Sequence, residues 1–207
     1  MPAVRGAKPA RRARVAPEET RQQIVDAFSR KAKALGLRGV MMGEIATELR
    51  ISASTLYKHF PSKEVLTLAC VERWAEELAA TSAVGARQEP PFEQFMRWLD
   101  AWADAQAALS PAFVRDLETD YPAAFRRFRA VIDQRKQQGA RLLRPQLKPE
   151  LDERMAFAVL DMILSAAARP ELADRLRISR HEAMRTAVTI WASGALDRRG
   201  KLRSMKA

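Results

Sequence analysis

Val40–Leu66, VMMGEIATELRISASTLYKHFPSKEVL, is the stretch whose reading decides the fold. It reads as two short helices joined by a tight turn, followed by the start of a third. Ile45, Ala46 and Leu49 recur at three- and four-residue spacing and give the first helix one apolar face. Arg50 and Ile51 make the turn. Ser52 is placed to cap the second helix, its hydroxyl accepting a bond from a free N–H of the first turn. Leu56 and Phe60, one turn apart, point inward together and leave Ala53, Ser54, Tyr57 and Lys58 on the outer face. A short helix with an apolar back and small, hydrogen-bonding groups at its exposed N-terminal end suits the reading of a DNA major groove. The same pattern also arises in helical proteins with no DNA role, and Ile45, Leu49, Leu56 and Phe60 are core under either reading.

The run Ser52-Ala53-Ser54-Thr55-Leu56-Tyr57-Lys58-His59-Phe60-Pro61-Ser62-Lys63-Glu64, preceded by Glu44-Ile45-Ala46, resembles the DNA-binding domain of TetR-type transcriptional regulators. The order Leu-Tyr-x-His-Phe-x-x-Lys-Glu fixes both a recognition helix and the start of the helix after it. The resemblance covers about residues 17–78, with the helix-turn-helix motif at about 41–60; beyond it only the all-helical layout is shared. It implies that Met42, Ser52, Ala53, Ser54, Thr55, Tyr57, Lys58, His59 and Lys63 lie at the DNA. Tyr57 and Lys63 would hold phosphates, while Ala53, Ser54 and Thr55 would face base edges. The family often has Gly where Arg50 and Ser54 stand, and Thr or Ser where Met41 stands. A left-handed backbone at Arg50 would cost about 1–2 kcal/mol, and Met41 removes an expected phosphate contact. The operator sequence cannot be carried over.

The rest of the 207-residue chain agrees with an all-α protein. Hydrophobic residues make up 47%, enough for a real core, while Gly is scarce and no alternating β-branched run occurs. One cysteine, Cys70, excludes an internal disulfide framework and suits a reducing cytosol. It shares a helical side with Leu66 and Trp74, as a buried structural thiol would. His59 and His181 alone supply no metal-ligand cluster. The N-terminus lacks the apolar run of a secretory signal, and the apolar stretch 156–168 is too short to span a membrane. A cytoplasmic protein is expected, with no cofactor.

The net charge of +11 is concentrated at the two ends. Residues 1–16 form a basic arm with Arg5, Lys8, Arg11, Arg12 and Arg14, and residues 198–207 form a basic tail with Arg198, Arg199, Lys201, Arg203 and Lys206. The arm precedes the DNA-binding domain and could lie along phosphates or enter the minor groove; a solvated tail is the plain alternative.

Pro17 opens a first helix whose buried stripe is expected to be Ile24, Phe28, Ala32 and Leu35, with Gly36 as its left-handed stop. Ser62 caps a fourth helix through Leu66, Cys70, Trp74 and Leu78. Residues 82–91, SAVGARQEPP, read as a linker. A helix from about Phe92 to Leu109 follows, in which Glu93, Arg97, Asp100 and Asp104 align. A solvated face explains them better than a catalytic carboxylate pair. Ser110-Pro111 and Pro122 open two more helices. The segment from about Pro149 to Ala168 is apolar nearly all round and so needs burial on several sides. Ser179-Arg180-His181-Glu182 is a capping box that opens the last helix.

No Gly-rich phosphate loop, nucleophile elbow or cysteine pair competes with a regulator. Residues 79–197 are therefore expected to form a helical effector-binding and dimerisation domain. Phe92, Phe95, Met96, Trp98 and Trp102 exceed what a helix pair needs, as do Phe113, Tyr121 and Phe125. They suggest an apolar, aromatic-rich effector site. The resemblance places the last two helices at a homodimer interface, with Leu160, Leu164, Ala183, Ala187, Trp191 and Gly194 as candidates. The expected function is a non-enzymatic, homodimeric repressor of the TetR type. It would bind double-stranded operator DNA and be released by a small apolar or aromatic ligand. A ligand-independent DNA-binding regulator or activator is the alternative.

Overall fold

The computed structural model describes residues 16–82 and 89–197; the basic arm, most of the expected linker and the basic tail lie outside the described residues. Ten α-helices and one 3-10 turn make up the regular structure of the described chain, with no strand. Helix α1, Pro17–Leu35, begins on its proline, and Glu18 and Glu19 complement the positive end of the helix dipole. Ile24, Phe28 and Ala32 are buried as expected, but Leu35 is 63% exposed. The chain bends at Gly36, so Leu37, two residues on, takes the inward place and is fully buried. Gly36 has φ +85° and ψ 163°, positive but extended rather than the left-handed helical stop expected. A Cβ there would stand 2.8 Å from Asp116 Oδ2 and 2.9 Å from Ala112 Cβ. The glycine is therefore required by a close approach as well as by its dihedral angle.

Helices α2, Met42–Leu49, and α3, Ala53–His59, form the helix-turn-helix. Arg50 between them does adopt the left-handed conformation, with φ 54° and ψ 39°. Its N–H reaches Thr47 O at 3.1 Å and that of Ile51 reaches Ala46 O at 3.0 Å, the paired bonds of a Schellman turn. These bonds satisfy the last carbonyls of α2 and hold Arg50 in a conformation it disfavours. Helix α4, Lys63–Ser82, starts under the Ser62 hydroxyl and buries Leu66, Cys70, Trp74 and Leu78 along one side. Burial pushes the Cys70 thiol up to about 11, so it stays a neutral packing group.

Helices α5, Pro91–Ala107, α6, Pro111–Asp120, and α7, Pro122–Leu143, complete the middle of the molecule. Each begins on a proline, and Ser110 caps α6 through Phe113 N at 3.1 Å. Trp74 of α4 meets Phe128 of α7 at 4.9 Å and Trp102 of α5 at 6.3 Å, so one aromatic node joins three helices. Beyond a 3-10 turn at Arg144–Gln146 come α8, Glu153–Ala167, α9, Pro170–Leu176, and α10, Arg180–Ala195. Helix α8 starts later than expected: Pro149 lies in a turn, and Asp152 is the cap, accepting from Met155 N at 2.8 Å. Helix α9 is unforeseen from sequence and ends on a second left-handed arginine, Arg177. Helices α8 and α10 pack on each other, and the Trp191 indole donates to Ala156 O at 3.2 Å.

Candidate nucleic-acid interface

The exposed end of α3 is built around one hydroxyl. Ser52 Oγ accepts from Thr55 N at 3.0 Å and lies 2.8 Å from both Ser54 Oγ and Thr55 Oγ1. The cap thus also orders the two neighbouring hydroxyls at the helix N-terminus. Ala53, Ser54, Tyr57 and Lys58 are exposed, while Leu56 and Phe60 beneath them are fully buried. Burial of those two side chains is worth about 1.5–3 kcal/mol each, and it fixes which face of α3 is presented. His59 is half-buried at the helix end, where its carbonyl accepts from Arg21 Nη1 at 3.3 Å. The Arg21 guanidinium also sits 4.3 Å over the Phe60 ring. Nothing in the sequence of α1 alone shows that Arg21 braces α3.

Met42 is a correction. It was expected at the DNA, but it is buried, and Met41 is the exposed methionine at 66%. As the first residue of α2, Met42 stands three residues before Ile45 and joins the same inward stripe. Lys63 is half-buried rather than free. Burial draws its ammonium below the ordinary lysine pKa, against the pull of Asp116 and Asp120 in α6.

Those two carboxylates form a junction between the helix-turn-helix and the helices behind it. Arg38 N donates to the buried Asp116 at 2.9 Å. The Arg38 guanidinium grips Asp120 through Nε at 2.7 Å and Nη2 at 2.8 Å. This bidentate bond holds the Asp120 carboxyl below its usual range. Ser110 N donates to Lys33 O at 2.8 Å beside it. Helix α6 therefore holds the loop that leads into α2.

Behind the junction two cavities flank α7. One, of about 220 Å³, lies between α5, α7 and α8; Phe95, Trp98, Phe157, Leu160 and Leu164 line it, with Lys136 and Asp161 paired at 2.7 Å. The other, of about 230 Å³, lies between α4 and α7 and includes Arg127, Arg135 and Gln138. Of the effector-site candidates, Phe95 and Trp98 line the first cavity. Met96, Trp102 and Phe113 are core side chains that line neither cavity. Phe92, Tyr121 and Phe125 are half-buried and likewise line neither. Tyr121 and Phe125 belong to the α6–α7 corner, and Trp102 is held in the node with Trp74.

The interface candidates also need correction. Leu160, Ala183 and Trp191 are buried within the chain, and Ala187 and Leu164 are half-buried. Leu160 and Leu164 face the first cavity instead. Gly194 alone is open, with nothing within 4 Å of a Cβ built there. On these two helices the large apolar side chains left outside are Met155, Val159 and Met162 of α8 and Ile190 of α10. Asp100 of α5 is half-buried and Asp104 exposed; they pair with Arg185 and His181 of α10.

Residues 24–70 match the family described as bacterial regulatory proteins, tetR family. The match spans the helix-turn-helix, so the N-terminal segment carries a TetR-type DNA-binding region, and an all-helical body stands behind it. The fold of the chain is shared by a transcriptional regulator from Saccharomonospora viridis solved in complex with choline. That similarity has a TM-score of 0.73 and 17% identity over 87% of this chain and 100% of the other. It is shared too by a TetR regulator from Chloroflexus aurantiacus (0.66, 22% identity, 87% and 98%) and a tetR-family regulator from Streptomyces coelicolor (0.66, 23%, 85% and 80%). At these identities the likeness is one of fold. No curated protein sequence matches the chain. No helix among the described residues is long and apolar enough to cross a membrane.

Proposed function

We propose that this protein is a homodimeric, sequence-specific DNA-binding repressor that leaves its operator when a small molecule enters the helical body, acting in the cytoplasm without enzymatic chemistry. The observation that carries the reading is the outer face of α3. Its hydroxyl cluster, the Ala53 methyl and the Tyr57 phenol stand over a fully buried back. Ala53 suits a thymine methyl, and Ser54 and Thr55 suit base-edge hydrogen bonds. Tyr57, Lys58 and Lys63 hold phosphates and set the register without reading sequence. Residues 17–78 act as the reading domain and 79–197 as the responding one, with α4 running through the boundary as one rod.

Release works by differential affinity: the ligand binds better to the arrangement in which the two α3 helices are wrongly spaced for one operator. The Arg38–Asp116–Asp120 junction and α4 are the two mechanical connections between cavity and reading head. The Saccharomonospora viridis complex supports a small-molecule site within this fold. The test is selection of bound duplexes from the promoter DNA around the protein's own gene. A palindrome is expected, with half-site centres about 34–36 Å apart or a multiple of that spacing. Selected sequences without two-fold symmetry would overturn the dimeric reading.

A further inference from the structure

The partition between the two cavities is an arginine on a tryptophan. Arg135 of α7 is only 4% exposed, and its Cζ lies 5.1 Å from the centre of the Trp98 ring. Trp98 is fixed in turn: it stacks on Phe95 at 5.1 Å, and Gly139 leaves room for its edge, since a Cβ there would meet Trp98 Cη2 at 2.7 Å. Arg135 Nη1 donates to Gln138 Oε1 at 3.2 Å. Its Nε and Nη2 have no acceptor among the described residues, and neither has the Trp98 indole N–H. A partly dried guanidinium with no carboxylate is costly, and burial draws Arg135 down to about 10, leaving it charged at neutral pH.

The surrounding carboxylates are engaged elsewhere. Glu72 is taken by Arg127, Asp161 by Lys136, and Glu76 reaches Arg73 from an exposed position. The molecule also shows how its arginines take carboxylates. Arg38 presents its Nε–Nη2 edge to Asp120, and Arg127 presents the same edge to Glu72, at 2.6 and 2.8 Å. Arg135 holds that same two-donor edge unsatisfied. The unpaired groups at the partition are all donors, so the complement is an acceptor-only group of planar, bidentate shape.

We propose that the effector is an amphipathic monocarboxylate whose head is bound by the Nε–Nη2 edge of Arg135 and whose apolar body lies in the cavity between α4 and α7, along Ala75, Leu78 and Val131. This rests on the ligand-responsive reading above and gives it a chemical class. Binding would satisfy the buried charge from between α4 and α7, which links the ligand directly to the rod that carries the reading head.

The test is calorimetric titration of the full chain, without DNA, with ligands of matched body and different heads. These are 4-phenylbutyrate, 4-phenylbutyramide and 4-phenylbutylamine, with decanoate as an alkyl acid. At least one acid should bind saturably, and phenylbutyrate at least about tenfold more tightly than its amide or amine. Arg135→Leu should remain a folded dimer, because an unpaired buried charge is replaced by apolar volume. It should lose the preference for acid over amide. Arg135→Lys keeps the charge without the two-donor edge, and should fall between the two; it carries the test if Arg135→Leu does not fold. Equal binding of acid and amide, preference for the amine, no saturable binding of either acid, or an acid preference that survives Arg135→Leu would each overturn the proposal. Acid preference without palindromic DNA binding would count against the regulator alone. Palindromic DNA binding with head-group indifference would count against the carboxylate alone.

Discussion

The helix-turn-helix and the helical body differ in how completely a single chain satisfies them. In the first, the inward side chains Ile45, Leu56 and Phe60 are fully covered, and the turn carbonyls, helix caps and ion pairs close on one another within a few tens of residues. Glu48, for instance, takes both Arg30 and Lys31 from α1. Both regions leave apolar side chains outside, Leu35 and Met41 beside the first and Met155, Met162 and Ile190 on the second, but the second also buries a guanidinium with no acid among the described residues. A reading head must be rigid before its target arrives. Under the proposed function, a responding body keeps contacts in reserve for a partner copy and a ligand, and the exposed apolar side chains and the buried guanidinium are the candidates for them.

The largest effect expected is from Phe60→Ala. Removing a fully buried aromatic side chain should cost about 3–5 kcal/mol, seen as a large fall in the denaturation midpoint. It also removes the platform under Arg21, so DNA binding should be lost with it. A variant that melted as the parent does would show that the reading head is not closed around Phe60.

Next is the apolar stripe of the body. Met162→Glu combined with Ile190→Glu places charge on side chains 71% and 66% exposed in the single chain. The substitutions should leave each chain folded and abolish the dimer, measured by sedimentation. An intact dimer would move the interface elsewhere. The Ala187 position expected from sequence is half-buried, so a charge there would confound folding with assembly.

The contrast between the two regions also explains what could be read from sequence. The helix-turn-helix was legible because its determinants are local: a cap, two apolar residues one turn apart and a turn, all within Glu44–Glu64. The all-α class and the starts of α5, α6, α7 and α10 were legible for the same reason, since prolines and serines mark first turns. Leu35 was misplaced because a three-residue bend at Gly36 hands its inward position to Leu37. Met42 was misplaced because one residue of helix phase separates it from the exposed Met41. Helix α9 is too short to show a periodic stripe. Arg135 carried no signal at all. Its burial and its lack of an acid are set by where α4, α5 and α7 meet, which no spacing along one helix reveals.

A smaller effect is expected at Arg50. Arg50→Gly relieves a left-handed residue, worth about 1–2 kcal/mol, against an added unfolded-state entropy of about 0.4–1 kcal/mol. The net gain is about 0–1.6 kcal/mol, so the thermal midpoint should rise by no more than about 6 °C. A fall would show that the Arg50 side chain contributes contacts that outweigh its backbone strain.

The smallest effect is electrostatic and confined to acid. Arg38 holds Asp120 below the ordinary carboxylate range, and Arg127 does the same for Glu72. A carboxylate with a depressed folded pKa contributes stability that is complete above its unfolded pKa, about 4, and is lost as pH falls through the lower folded value. Both pairs are solvent-exposed and screened. The stability difference between the parent and Asp120→Asn should therefore be small and constant from pH 6 to 8 and should close only below about pH 4. A difference that changed near neutral pH would mean another group controls the junction.

The most direct measurement is a binding titration on the selected palindrome and on the same duplex with one half-site scrambled, over a range of salt. Two copies of the chain should bind the intact site, at least about 100-fold more tightly than the scrambled one. Tyr57→Ala and Lys63→Ala should each weaken binding to both duplexes alike and flatten the salt dependence by about one unit. Equal affinity for intact and scrambled sites, or binding by a single copy, would contradict a two-fold reader built on α3.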